Sequence, residues 1–220
     1  MENSMTPRLF RDASGSNVKP MLNEVEGISF NESPLDFFIL LARYKFAARF
    51  IKKNHRVLDI GCGHGHGSVF LSRFGQHVTG ADFDEGLVTS NRQQHAGRPN
   101  LSFEQLDLLK KPDPAKNYDV VVSMDVIEHF TKSQTEVVAA NYAQLTAPGG
   151  FAVIGTPNIA SQPYASARRL ATHIHEFEPN EFESLLGQHF RNVFLFSMTD
   201  EVVSTSFSKM AWYLMALCVK

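Results

Sequence analysis

Glycine occupies every second position in Gly61-Cys62-Gly63-His64-Gly65-His66-Gly67, directly after the run Val57-Leu58-Asp59-Ile60. Glycines are needed where a chain must turn tightly and let a ligand reach the main chain with no Cβ in the way. A nucleotide-like ligand is implied, and the spacing excludes two classes of it. The dinucleotide fingerprint G-x-G-x-x-G fails in every register, meeting His66 from Gly61, Ser68 from Gly63 and Phe70 from Gly65. No G-x-x-x-x-G-K-S/T occurs, which excludes a P-loop nucleotide triphosphatase. Two further segments concentrate reactive side chains: Asp125-Val126-Ile127-Glu128-His129-Phe130 and Thr172-His173-Ile174-His175-Glu176-Phe177. A neutral histidine, with an unperturbed pKa of about 6.5, suits proton removal from an alcohol near pH 7.

Such groups need a rigid frame, and the pattern of apolar residues supplies one. Apolar positions from Leu35 to Lys52 recur near a 3.6 period, which predicts an amphipathic helix. Strands are predicted at Arg56-Ile60, His77-Ala81, Leu101-Leu106, Tyr118-Met124 and Phe151-Gly155. Helices are predicted near 68–74, 85–95 and 132–145. Strands as apolar as Val120-Val121-Val122, alternating with helices, indicate a parallel sheet covered on both faces. A helix near 180–188 precedes two apolar runs, Val193-Met198 and Met210-Val219, which would close the sheet as antiparallel strands. The segment 1–33 is polar and broken by Pro7, Gly15, Pro20 and Gly27, and reads as a flexible arm or lid.

Taken in order, these segments resemble the motifs of class I S-adenosylmethionine-dependent methyltransferases. Asp59 with Gly61, Gly63 and Gly65 is similar to the family's acidic residue and G-x-G-x-G turn, with Cys62 inside it. Gly80-Ala81-Asp82-Phe83-Asp84 is similar to the acid at the second strand end. The resemblance implies that Asp82 accepts from both ribose hydroxyls of an adenosine, with Phe83 near the adenine; a ribose acceptor belongs about 20 residues after the glycines. Asp107 in Leu106-Asp107-Leu108 takes the role of the acid that meets the adenine amino group, although an Asp after a strand also caps helices. Met124 ends the fourth strand where the family presents a carbonyl to the methionine ammonium. Leu145-Thr146-Ala147-Pro148-Gly149-Gly150-Phe151 looks like the turn before the fifth strand. The implied fold is a Rossmann-like, seven-stranded, mostly parallel sheet with helices on both faces and an antiparallel C-terminal strand, over 34–220. The implied cofactor is S-adenosylmethionine.

Asp125-Val126-Ile127-Glu128-His129 resembles the E-x-x-E-H segment of ubiquinone-biosynthesis O-methyltransferases and of RNA 3′-end 2′-O-methyltransferases, with Asp125 for the first acid. In those families the segment can hold a divalent metal. The resemblance implies Asp125, Glu128 and His129 as ligands on one face of a helical turn, with His175 as the fourth. His129 and His175 are then the candidate catalytic histidines. A plainer reading makes Asp125 and Glu128 a capping box and lets His129 fill space beside the cofactor. His64 and His66 read as solvent-facing loop residues.

Composition narrows the partners. A chain of 220 residues, 43% hydrophobic and 20% charged, suits one globular domain. A formal charge of -2 offers no broad cationic field, so nucleic acid is disfavoured as a partner and a small-molecule acceptor fits better. Two cysteines, Cys62 and Cys218, make neither a disulfide framework nor a zinc site. Residues 1–15 lack the apolar core of a signal peptide, and Met210-Val219 is too short to span a bilayer, so a cytoplasmic protein without a membrane span is expected. The helix Leu41-Ala48 and Trp212-Tyr213-Leu214 look similar to bacterial methyltransferases of surface-polysaccharide and secondary-metabolite pathways. O-methylation of a small hydroxylated metabolite or sugar is therefore the first reading. Metal-assisted 2′-O-methylation of an RNA end is the second and requires a basic strip, for which Arg168-Arg169 is the only local pair. A non-catalytic cofactor-binding partner subunit is the third. Oligomeric state stays open.

Overall fold

The computed structural model describes residues 34–220, so the arm or lid expected over 1–33 lies outside the described residues. The elements run α1 (Pro34–Ala48), β1 (Arg56–Ile60), α2 (His66–Leu71), β2 (His77–Asp82), α3 (Glu85–Gln94), β3 (Leu101–Gln105) and β4 (Tyr118–Met124). They continue with α4 (Lys132–Leu145), β5 (Thr146–Pro157), α5 (Ala167–Thr172), α6 (Pro179–Gly187), β6 (Asn192–Thr199), β7 (Val202–Ser204) and β8 (Tyr213–Val219). Val120, Val121 and Val122 are all fully buried. Neighbouring side chains of a strand point to opposite faces, so only a strand covered on both sides can bury three in a row.

The sheet order is β3-β2-β1-β4-β5-β8-β6-β7. Strands β1 to β5 pair in parallel, and β8 runs antiparallel between β5 and β6. Leu58, Ile60 and Val121 pack with Val138, Tyr142 and Phe182 on one face; Val57, Val120 and Val122 pack with Ala47, Val69 and Leu71 on the other. From β1 the chain moves outward to β2 and β3, then returns to place β4 on the opposite side of β1. The loops that leave β1 and β4 therefore part, and the crevice at their carboxyl ends is where open α/β sheets bind ligands.

Three features differ from the sequence expectation. The sheet has eight strands rather than seven, because Val202–Ser204 pairs with β6 inside a stretch that reads as a polar connection. The last strand begins at Tyr213 rather than Met210. Ser208–Met210 forms a short 3₁₀ turn, the Asn158 amide donates to the carbonyls of Ser208 and Ala211 at 2.9 Å, and Met210 and Trp212 stay exposed. The capping box also falls elsewhere: Gln134 accepts from Thr131 N at 2.9 Å at the start of α4. Among the described residues no helix is long and apolar enough to cross a membrane.

Candidate active site

The loop leaving β1 is tied to β2 by its amides. Gly61 N and Cys62 N both donate to the Ala81 carbonyl, at 2.8 and 3.0 Å. Gly61 has φ +69° and passes so close to the β4 loop that a Cβ would fall 2.2 Å from a Val126 methyl. Gly63 has φ +52° and faces open space, where a main chain without a Cβ can be approached closely. Asn91 of α3 supports this turn from behind, donating to Gly63 O at 2.7 Å. The Cys62 thiol is buried beside Asn91, and burial pushes its pKa up.

Asp59 is fully buried and accepts from Ser68 Oγ at 2.6 Å. Burial raises its carboxyl to about 7, against the opposing hydrogen bonds from Ser68 and Tyr44. The residue thus joins β1 to α2 and α1. Its raised pKa makes a stability prediction with a definite sign. Between about pH 4 and about pH 7 the folded chain keeps a proton that the unfolded chain has released, so stability falls as pH rises through that window and then levels off. Denaturant melts at pH 5 and pH 8 should show this loss in the parent and a smaller one in Asp59→Asn; equal slopes would remove Asp59 as the cause.

Asp82, at the end of β2, is oriented by two main-chain donors: Gly63 N reaches Oδ2 at 2.9 Å and Asp84 N reaches Oδ1 at 3.0 Å. A carboxylate oxygen has two acceptor positions, so each oxygen keeps one. Asp82 lines a cavity of about 420 Å³ together with Gly61, Phe83, Asp107, Leu108 and His129. Phe83 is 70% exposed and Leu108 is buried. Asp107 turns Oδ1 back to Leu109 N at 3.0 Å and pairs with Lys110. Met124 is buried at the end of β4.

His129 stands at the same cavity with Nδ1 2.8 Å from the Thr172 carbonyl. A carbonyl can only accept, so Nδ1 carries the proton and Nε2 presents a lone pair. His173 is built alike. Its Nδ1 lies 2.7 Å from Glu176, which Arg169 grips through Nε and Nη2 at 2.6 and 2.9 Å. Burial pushes the Glu176 carboxyl up, but Arg169 and His173 outweigh it and hold it below its ordinary range. The two imidazole rings meet edge to face at 5.1 Å. Glu128 is fully buried, accepts from Thr156 Oγ1 at 3.0 Å, and has its pKa raised by burial and by Asp125.

The expected ligand set of Asp125, Glu128, His129 and His175 is not what converges. Ile127–His129 is a single 3₁₀ turn and Asp125 has φ +57°, so the residues at i, i+3 and i+4 do not share a helical face. Asp125 pairs instead with Arg43 of α1, whose guanidinium lies 3.8 Å over the Tyr213 ring. His175 turns to Glu181 at 3.1 Å and packs on Phe177. The atoms that gather within 4.8 Å belong to Glu128, His129 and His173. A second cavity, of about 700 Å³, is lined by Arg43, Asp125, Arg169, His173, Trp212 and Tyr213. Asp125 belongs to both cavities. Arg43 and Tyr213 reach the site from Leu41-Ala48 and Trp212-Leu214, segments whose resemblance assigned neither residue a role. His66, half-buried as the first residue of α2, contacts the Phe37 ring at 5.5 Å rather than facing solvent.

Residues 57–150 match the family model described as a methyltransferase domain. That stretch of the chain is a methyltransferase domain. The chain is 34% identical over 116 residues to the ubiquinone biosynthesis O-methyltransferase of Maricaulis maris, an alignment covering 51% of this chain and 44% of that one. It is 33% identical over 82 residues to the phosphoethanolamine N-methyltransferase of Plasmodium falciparum, covering 37% and 31%. The chain thus spans less than half the length of these relatives. Among solved structures, the N-methyltransferase NodS of Bradyrhizobium japonicum in complex with S-adenosyl-l-homocysteine is similar in fold. Its TM-score is 0.64 at 17% identity, covering 91% of this chain and 94% of that one.

Proposed function

We propose that the chain transfers a methyl group from S-adenosylmethionine to the hydroxyl of a small acceptor, a metabolite or a sugar. The observation that carries this reading is the orientation of Asp82 by Gly63 N and Asp84 N, which keeps one acceptor position on each oxygen at the wall of the first cavity. Two vicinal ribose hydroxyls match that pair. The exposed Phe83 ring and the Asp107-Leu108 corner suit an adenine, and the end of β4 at Met124 suits the methionine ammonium. When bound, the cofactor supplies a methyl on a positive sulfur: the S–CH₃ bond breaks with its electron pair staying on sulfur, and an O–CH₃ bond forms.

The protein's own work is alignment and proton removal. His129 Nε2, left as the free ring nitrogen by the Nδ1 bond to Thr172, takes the hydroxyl proton as the acceptor oxygen loses it to methylation. That base favours an oxygen acceptor over a nitrogen one. The RNA-end reading needs a basic strip, and Arg169 is already neutralised by buried Glu176. The reading is tested by calorimetry with S-adenosylhomocysteine and by label transfer from radioactive cofactor. Saturable binding at one site per chain is expected, and its absence sinks the proposal.

The Glu128, His129 and His173 group supports a metal-assisted variant. Glu128 Oε1 is buried without a partner among the described residues, and both imidazoles have their Nδ1 occupied, as outer-shell partners do in metal sites. A divalent cation there would polarise the acceptor oxygen. Mn²⁺ binding followed by calorimetry should disappear in His173→Ala, and chelation should lower turnover by about 10-fold or more. Turnover unchanged by chelation leaves the proton to His129 alone.

A further inference from the structure

Asp125 combines four features that the metal-ligand role does not explain. It adopts φ +57°, a conformation that Asp and Asn tolerate and most residues do not. Its amide is fixed to Gly155 O at 3.1 Å. One carboxylate oxygen, Oδ2, is taken by Arg43, itself packed on Tyr213. The side chain is nevertheless about one third exposed, at 32%, and it lines both the cofactor cavity and the larger second cavity. An oxygen that is to be methylated must sit at that junction, between His129 on the first cavity and His173 on the second.

We propose that Asp125, clamped by Arg43, selects the acceptor: its second carboxylate oxygen takes a hydrogen bond from an uncharged donor, a second hydroxyl, beside the oxygen to be methylated. Arg43 is the positioning residue and Asp125 the contact. The chemistry follows from charge and acceptor capacity. A carboxylate only accepts, so the partner must donate. The guanidinium of Arg43 balances the Asp125 carboxylate itself, and Asp36 and Asp200 elsewhere on the cavity wall turn away an anionic acceptor. The flanking Ile39, Pro157 and Trp212 suit the apolar face of a ring. This inference rests on the proposed methyl transfer.

The experiment uses two matched pairs of acceptors, 1,2-dihydroxybenzene against phenol and cis-1,2-cyclohexanediol against cyclohexanol, with labelled S-adenosylmethionine. The parent should prefer the diol of a pair by about tenfold to a hundredfold in kcat/KM, the worth of one hydrogen bond to a charged group. Asp125→Asn keeps the left-handed backbone and should erase most of that preference through the KM of the diol. Arg43→Ala should do the same, and Arg43→Lys should restore part of it. Calorimetry with S-adenosylhomocysteine separates the failures. A parent that binds it yet shows no diol preference, or a preference that survives Asp125→Asn, overturns the selection role. A parent that binds none overturns the methyl-transfer reading beneath it.

Discussion

Asp82→Ala is expected to weaken S-adenosylhomocysteine binding by about a hundredfold or more. The side chain offers two oriented acceptor positions, and hydrogen bonds to a charged group contribute about 1.5–3 kcal/mol each. Loss of two such bonds exceeds a factor of one hundred on the scale of about 1.4 kcal/mol per decade. The substitution also releases the amides of Gly63 and Asp84, so the loop that would cradle the ligand loosens and the loss grows. Both amides lie at a surface turn, so the fold itself should survive, with Tm lowered by a few degrees at most. Calorimetry measures the first quantity and a thermal melt the second. An affinity within twofold of the parent would remove Asp82 from the cofactor site.

His129→Ala carries the second large effect, and it should fall on a different constant. A positioned general base contributes about 10²- to 10⁴-fold to rate, so kcat should drop by that amount while S-adenosylhomocysteine affinity changes little. The ring is exposed and contributes no buried packing. Its loss therefore has a chemical meaning, whereas loss of a core residue would not. A variant that keeps its kcat would place the proton transfer elsewhere, with His173 the next group in reach.

The sequence revealed the frame most clearly where one physical constraint dominated. Val120-Val121-Val122 could only be a doubly covered strand, and the alternate glycines could only be a turn made for close approach. Around the second strand end, the acid fell at the distance a βα unit dictates. Local spacing failed at Asp125, because the expected helical turn is interrupted by a left-handed residue and shortened to a 3₁₀ turn. The different surroundings of His173 and His175 were illegible for a related reason. Two histidines two residues apart on an irregular segment point in directions set by Glu176, Glu181 and Phe177, none of which a spacing rule weighs. Arg43 was invisible for a third reason: it meets Asp125 across 82 positions, and no local pattern announces an ion pair between a leading helix and a distant loop. The three residues of β7 are too few to show a period.

The placement of β8 between β5 and β6 has a consequence for biosynthesis. During translation β6 emerges before residues 213–219 do, and until they arrive it can pair only with β7 and has no link to β5. Until then β5 presents an unpaired apolar edge, the kind of surface that recruits other chains. The half of the molecule around β1 to β4 can assemble as it leaves the ribosome, whereas the half carrying Trp212 and Tyr213 can only close afterwards.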